Sequence, residues 1–138
     1  MAKWTIEDSR DLYNIRGWGS EYFDINSKGN VIIQPQNGSN HSIDLKELVE
    51  DIQAKGYSLP ALIRFSDILK ASISKLANAF DKSIKEYEYK GAYHGVYPIK
   101  VNQQRQVVEE IVKFGRPYNF GLEAGSKPEL YAILAILD

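Results

Sequence analysis

From residue 45 onward the apolar positions alternate between helical and strand-like spacing. Leu45, Leu48, Val49 and Ile52 stand at i, i+3, i+4 and i+7, one face of a helix. Asp44 followed by Glu47 has the form of a capping box at its start, and Gly56 is placed to stop it. Residues 60–65 then predict a short strand. Leu69, Ile73, Leu76, Phe80 and Ile84 line one stripe of a long helix that Ser66 is placed to cap. The run 92–99 predicts a second strand, ending at Lys100. Val107, Val108, Ile111 and Val112 mark the next helix face, stopped by Gly115. Residues 118–122 read as a third strand. Ser126 with Glu129 forms a second capping box, with Pro128 in the first turn of an apolar helix over 130–137.

The first forty residues follow another rule. Trp4, Tyr13, Trp18, Tyr22 and Phe23 are scattered among polar positions, with Gly17 and Gly19 between them. Residues 22–26 and 30–34 predict a β-hairpin about Ser27-Lys28-Gly29, where Gly29 suits a left-handed turn position. Residues 35–40, which contain Pro35, Asn37, Gly38 and Asn40, predict a loop. The boundary falls between a β or irregular segment, 1–43, and a β/α region, 44–138.

Strand, helix, strand, helix, strand, helix is the order expected of parallel strands with crossover helices, an α/β fold. Three such units fit either a small open sheet or the opening of a (β/α)8 barrel, which needs about 250 residues when complete. With 138 residues, ending in or just after an apolar helix, the chain reads as a truncated barrel. In both architectures ligands bind at the carboxyl ends of the strands. Lys100, the stretch from Glu123 to Ser126, and Arg64 all occupy such ends. Strand alternation puts Val96, Pro98 and Lys100 on one face, with Tyr97 and Ile99 on the other.

Composition narrows the chemistry. Charged residues make up 25% and hydrophobic residues 43%, ordinary for a soluble domain, and the net charge of −1 gives no electrostatic case for nucleic acid or an anionic membrane. The chain has no cysteine, so disulfides, thiolate zinc sites and cysteine nucleophiles are excluded within these residues. No apolar stretch approaches the roughly 20 residues of a membrane span, and the first eight residues lack the apolar core of a signal peptide; the cytoplasm is the default compartment. What remains is the lysine. An amine at a strand end can hold an aldehyde cofactor once burial or a neighbouring cation makes part of it neutral, although most lysines there are solvated charges. Asn102 and Gln103 read either as loop donors to a ligand or as loop polarity. His94, at the far end of its strand, reads as structural or solvent-facing, His41 is assigned no role, and Arg64 reads either as meeting a phosphate or, in preference, as pairing with a surface acid. Tyr87, Tyr89, Tyr93 and Tyr97 read as packing residues, since no basic stripe accompanies them.

Two motifs are specific. Gly95-Val96-Tyr97-Pro98-Ile99-Lys100-Val101-Asn102-Gln103 and Gly121-Leu122-Glu123-Ala124-Gly125-Ser126-Lys127-Pro128-Glu129-Leu130 closely resemble the amino-terminal part of biosynthetic arginine decarboxylases. The likeness extends to Tyr13-Asn14-Ile15, Trp18-Gly19, the hairpin from Tyr22 to Asn26, and Leu59 to Phe65. It implies a pyridoxal 5′-phosphate-binding (β/α)8 barrel of the alanine racemase type, preceded by β structure. The activity implied is conversion of L-arginine to agmatine and carbon dioxide on the way to putrescine and spermidine. Lys100 then corresponds to the lysine that holds the cofactor as a Schiff base, and Glu123, Ala124, Ser126 and Asn102 match positions beside it. A homo-oligomer belongs to the same implication, as does Mg2+ by family resemblance only, and the sequence holds no metal cluster. Length departs from the family, whose members are several times longer and carry elsewhere a glycine-rich phosphate loop, an acidic partner for the pyridine nitrogen, a ring-stacking histidine and a catalytic cysteine. The 138 residues alone are therefore expected to be inactive. The competing reading is a non-catalytic remnant, or a cofactor-binding or interaction module on the same barrel type.

Overall fold

A computed structural model describes residues 3–34 and 41–137, so the loop expected at 35–40 lies outside the described residues. The chain divides into two compact units, 1–65 and 66–138.

The first unit opens with two short helices that the scattered aromatics conceal. Helix α1 (Ile6–Leu12) starts at a reciprocal capping box: Asp8 N–H donates to the Thr5 hydroxyl at 3.2 Å, and Thr5 N–H donates to the Asp8 carboxylate at 2.7 Å. Helix α2 (Ile15–Trp18) follows, with Ile15 buried. Strands β1 (Phe23–Ile25) and β2 (Val31–Ile33) pair antiparallel with Phe23 opposite Ile33, and Gly29 takes φ +83° in the turn, as the hairpin pattern requires. A strand absent from the periodic pattern, β3 (Ile43–Asp44), adds to β2 and completes a three-stranded antiparallel sheet. Ile25 and Ile33 form its buried side. At the β1 edge, Arg10 donates to Asp24 at 2.6 Å and to the Ile25 carbonyl at 3.1 Å, so the guanidinium satisfies an edge carbonyl that has no strand neighbour there.

Asp44 ties the sheet to helix α3 (Leu45–Ala54). One carboxylate oxygen accepts Lys46 N–H at 3.0 Å and Glu47 N–H at 3.3 Å; the other accepts the side-chain amides of Asn26 at 2.7 Å and Asn30 at 2.9 Å. The capping box expected here is half made, because Glu47 turns instead to Lys28 at 2.8 Å. Hydrogen bonds from Asn30 first, then from Glu47 N–H, Asn26 and Lys46 N–H, outweigh desolvation and hold the Asp44 carboxyl below its ordinary 3.8. A depressed folded value stabilises the fold above the unfolded pKa and ceases to do so as pH falls through the folded one. Asp44→Ala is therefore expected to lower Tm at pH 7. The gap from wild type should close as pH drops below 3.8, readable by thermal melts across pH. A gap of constant size would mean that the carboxylate charge is not what stabilises.

After α3, Gly56 at φ +88° ends the helix as its position predicts. Residues 60–65 correct the expectation of a strand: they have no ladder partner among the described residues. An apolar run supplies strand propensity, but a strand exists only where its backbone groups pair.

The second unit is helix α4 (Ser66–Glu86), strand β4 (Val96–Pro98), helix α5 (Arg105–Gly115), strand β5 (Gly121–Glu123) and helix α6 (Lys127–Leu134). Ser66 is the first residue of α4 rather than its cap, and its hydroxyl donates to the Glu110 carboxylate on α5. The buried face of α4 is Ile73 and Ala77 with Leu69 beside them, while Leu76 and Phe80 stay near the rim. Strands β4 and β5 pair in parallel, Val96 opposite Gly121, Tyr97 opposite Leu122 and Pro98 opposite Glu123. This is the crossover geometry that strand–helix–strand order predicts. Two clusters fill the space under the strands: Ile73, Val107 and Ile111 in one, Ile99, Val108 and Ile133 in the other, with Tyr97 and Leu122 packed against both. Strand β5 begins three residues later than the apolar run suggested, because residues 116–118 form a 3-10 turn.

Candidate functional site

The carboxyl ends of β4 and β5 lie side by side, and the candidate residues gather there. Strand β4 ends at Pro98, whose nitrogen has no hydrogen to give a ladder, and residues 99–101 turn as a 3-10 helix. Lys100 thus sits on a turn two residues beyond the strand, not on the strand end itself. The alternation expected for Val96, Pro98 and Lys100 against Tyr97 and Ile99 is interrupted, because the strand stops at Pro98, which is half-buried like Tyr97. Val96 is 54% exposed, and on the 3-10 turn Ile99 is 2% exposed while Lys100 reaches solvent. A buried isoleucine on one side of the lysine and a tyrosine on the same inner face fix the backbone from which the amine projects.

Asn102 closes the turn from both directions. Its carbonyl accepts the Tyr97 hydroxyl at 3.2 Å, and its side-chain oxygen accepts Gln104 N–H at 3.0 Å, just before α5 begins. The side-chain Nδ2 of Asn102 is left as a donor. Across the strand pair, Glu123 faces Pro98 in register and its side chain is exposed. Ala124 follows, also exposed. Ser126 caps α6: its hydroxyl oxygen accepts Glu129 N–H at 3.4 Å, and the Glu129 carboxylate accepts Gly125 N–H at 2.7 Å. The capping box read from sequence is present, with the return bond shifted one residue earlier. Ser126 keeps its proton for donation while its oxygen holds the helix.

Arg64 belongs to the other unit and is exposed. His94 is exposed just before β4, at the end away from Lys100, as its position predicts. A cavity of about 340 Å3 also opens at those amino-terminal ends, lined by Asp81, Tyr93, Tyr118 and Asn119 among others. Tyr93 stacks on Phe80 beside it, centroids 3.9 Å apart. Among the described residues no group of three or more His, Asp or Glu could hold a metal ion, and no helix is long and apolar enough to cross a membrane. The residue that sequence reasoning missed is Tyr97. Only its place three positions before Lys100, on the inward side of the strand, hinted that it could reach back to the turn.

The arrangement offers an accessible primary amine on a well-anchored turn, with a carboxylate, a hydroxyl proton and an amide donor on the adjoining segments. A primary amine with polar groups beside it is a donor set able to take up a carbonyl group.

No family model matches the chain. The chain is 59% identical over 137 residues to the biosynthetic arginine decarboxylase of Gloeobacter violaceus, covering 99% of this chain and 21% of that protein. It is 53% identical over 137 residues to the enzyme of the same name from Thermosynechococcus vestitus, covering 99% of this chain and 22% of that one. Among solved structures, the biosynthetic arginine decarboxylase of Campylobacter jejuni superposes with a TM-score of 0.78 at 38% identity, over 91% of this chain and 20% of that one. The chain spans about a fifth of the length of these relatives.

Proposed function

We propose that this chain, a homologue of the amino-terminal fifth of biosynthetic arginine decarboxylases, supplies the cofactor lysine, Lys100, for pyridoxal-phosphate-dependent decarboxylation of L-arginine to agmatine. The observation that carries the reading is the placement of Lys100: an exposed amine on a turn anchored by buried Ile99, at the carboxyl end of one of two parallel strands. In this reading residues 44–138 are the first β/α units of a (β/α)8 barrel, and 1–43 are the β-rich segment before it. The remaining catalytic groups come from the rest of a homo-oligomeric enzyme, and 138 residues by themselves do not turn over.

When bound, the cofactor supplies an electron sink for the pair left behind as the substrate carboxylate departs as carbon dioxide. The residues of this chain hold and orient. Lys100 would provide the amine that holds the cofactor. Ser126 would donate its hydroxyl proton and Asn102 its side-chain amide, and Ala124 would present only a small side chain between them and the strand. Glu123 places a carboxylate at the neighbouring strand end, suited to a cationic or hydrogen-bonding group. Fixing these groups on short anchored segments beside the strand ends rather than on long loops lowers the cost of orienting them.

The test is product analysis of the protein expressed from its complete gene, with pyridoxal phosphate and L-arginine, L-lysine or L-ornithine. Agmatine and carbon dioxide from arginine, at least about tenfold faster than either other amine product, is expected; a tenfold preference needs about 1.4 kcal/mol of differential binding in the transition state. Equal rates on all three, or none on arginine, would contradict it.

A further inference from the structure

We propose that Tyr97 is a positioning residue for Lys100, its hydroxyl acting as a latch that holds the lysine-bearing turn; this rests on the reading of Lys100 as the cofactor lysine. Tyr97 joins the packed core under the strands to the turn that carries Lys100. Its ring packs against both core clusters, and its backbone is in register with Leu122 on β5. Its hydroxyl donates to the Asn102 carbonyl at 3.2 Å, bridging over Pro98, Ile99, Lys100 and Val101.

The turn needs such a tie. Strand pairing stops at Pro98, and helix α5 does not begin until Arg105, so the six residues between are held by neither a ladder nor an α-helix. Ile99 anchors the near end by burial. At the far end Asn102 is fixed through its carbonyl by Tyr97 and through its side chain by Gln104 N–H. Lys100 lies between these two anchors. If the Tyr97 tie is removed, the carbonyl gains only a water partner, and the turn is free to swing about Ile99. A hydroxyl bond at 3.2 Å is a long one, so its net worth is that of a modest hydrogen bond and the expected effect is severalfold rather than total.

Tyr97→Phe keeps the ring and its packing while deleting the latch. Tyr118→Phe is the control: it removes a hydroxyl from the same core at the other ends of the strands. Both are made in the protein expressed from its complete gene. Pyridoxal phosphate is added, and the linkage at Lys100, formed with loss of water, is reduced by borohydride to a secondary amine that peptide mass mapping quantifies. Tyr97→Phe is expected to slow labelling of Lys100 by about two- to tenfold and to alter its pH profile, with faster amide exchange at residues 101–104. Tyr118→Phe should leave rate, profile and exchange at 101–104 unchanged. Wild-type labelling kinetics and exchange in Tyr97→Phe would overturn the latch, as would equal losses in both variants. Wild-type protein that takes no label at Lys100 would instead sink the cofactor-lysine reading, while the exchange experiment still decides whether Tyr97 holds the turn.

Discussion

On the proposed function, Lys100→Arg in the protein expressed from its complete gene is expected to lower arginine decarboxylation by about a thousandfold or more, equivalent to about 4 kcal/mol in the barrier, while leaving the fold intact. Arginine keeps the positive charge and the length of the side chain, but its guanidinium stays protonated at any working pH and cannot add to an aldehyde. Stability should hold within about 0.5 kcal/mol, because Lys100 is exposed and takes no part in either core cluster. Steady-state kinetics beside a denaturant melt separate the two effects. A variant that retains a tenth of the activity would place the essential amine elsewhere. A variant that unfolds would mean that the lysine stem is a packing element.

The second large effect concerns the scaffold beneath the site. Gly95→Ala is expected to destabilise the protein by about 3 kcal/mol, at the upper end of what overpacking costs. A Cβ at residue 95 would stand 2.1 Å from one ring carbon of Phe120 and 2.4 Å from another. Phe120 is also held close to Gly115, where an added Cβ would stand 2.6 Å from Phe120 Cβ, so this side chain packs against glycines on two sides. The strand is held as well, since the Gly95 carbonyl accepts Gly121 N–H at 2.8 Å and starts the pairing of β4 with β5. Adding Phe120→Leu should recover part of the loss, the coupling expected of residues in contact. Urea melts of the two single variants and the double variant measure it; strictly additive losses would show that the two residues do not share this space.

Where one apolar face runs for several turns, as in α3, α4 and α5, the sequence pattern found the elements, because burial of a stripe is what forms such helices. The hairpin was legible for a different reason: Gly29 fits a conformation that other residues resist. Helix α1 was hidden although its Thr5–Asp8 capping box was in view, because Trp4, Leu12 and Tyr13 are exposed and break the apolar period. Strand β3 is two residues long, too short for any alternation to register. Residues 60–65 show the opposite failure, strand propensity without a strand to pair with. At the site, the placing of Lys100 and of Glu123 to Ser126 at one end of the parallel pair followed from strand order. Arg64, expected at such an end too, falls in the other unit on a run with no strand, and Asn102 was marked by loop polarity and the family likeness rather than by strand order. The turn that carries Lys100 and the Tyr97 bond did not follow from strand order either, since both depend on where a proline ends the ladder and on a contact across five residues.

The measurement that bears most directly on this account is the site of borohydride trapping. The protein expressed from its complete gene is incubated with pyridoxal phosphate, reduced, digested and mapped by mass. The account predicts one dominant phosphopyridoxyl adduct, on the peptide containing Lys100. An adduct on another lysine, such as exposed Lys127 at the start of α6, or no adduct at all, would contradict it.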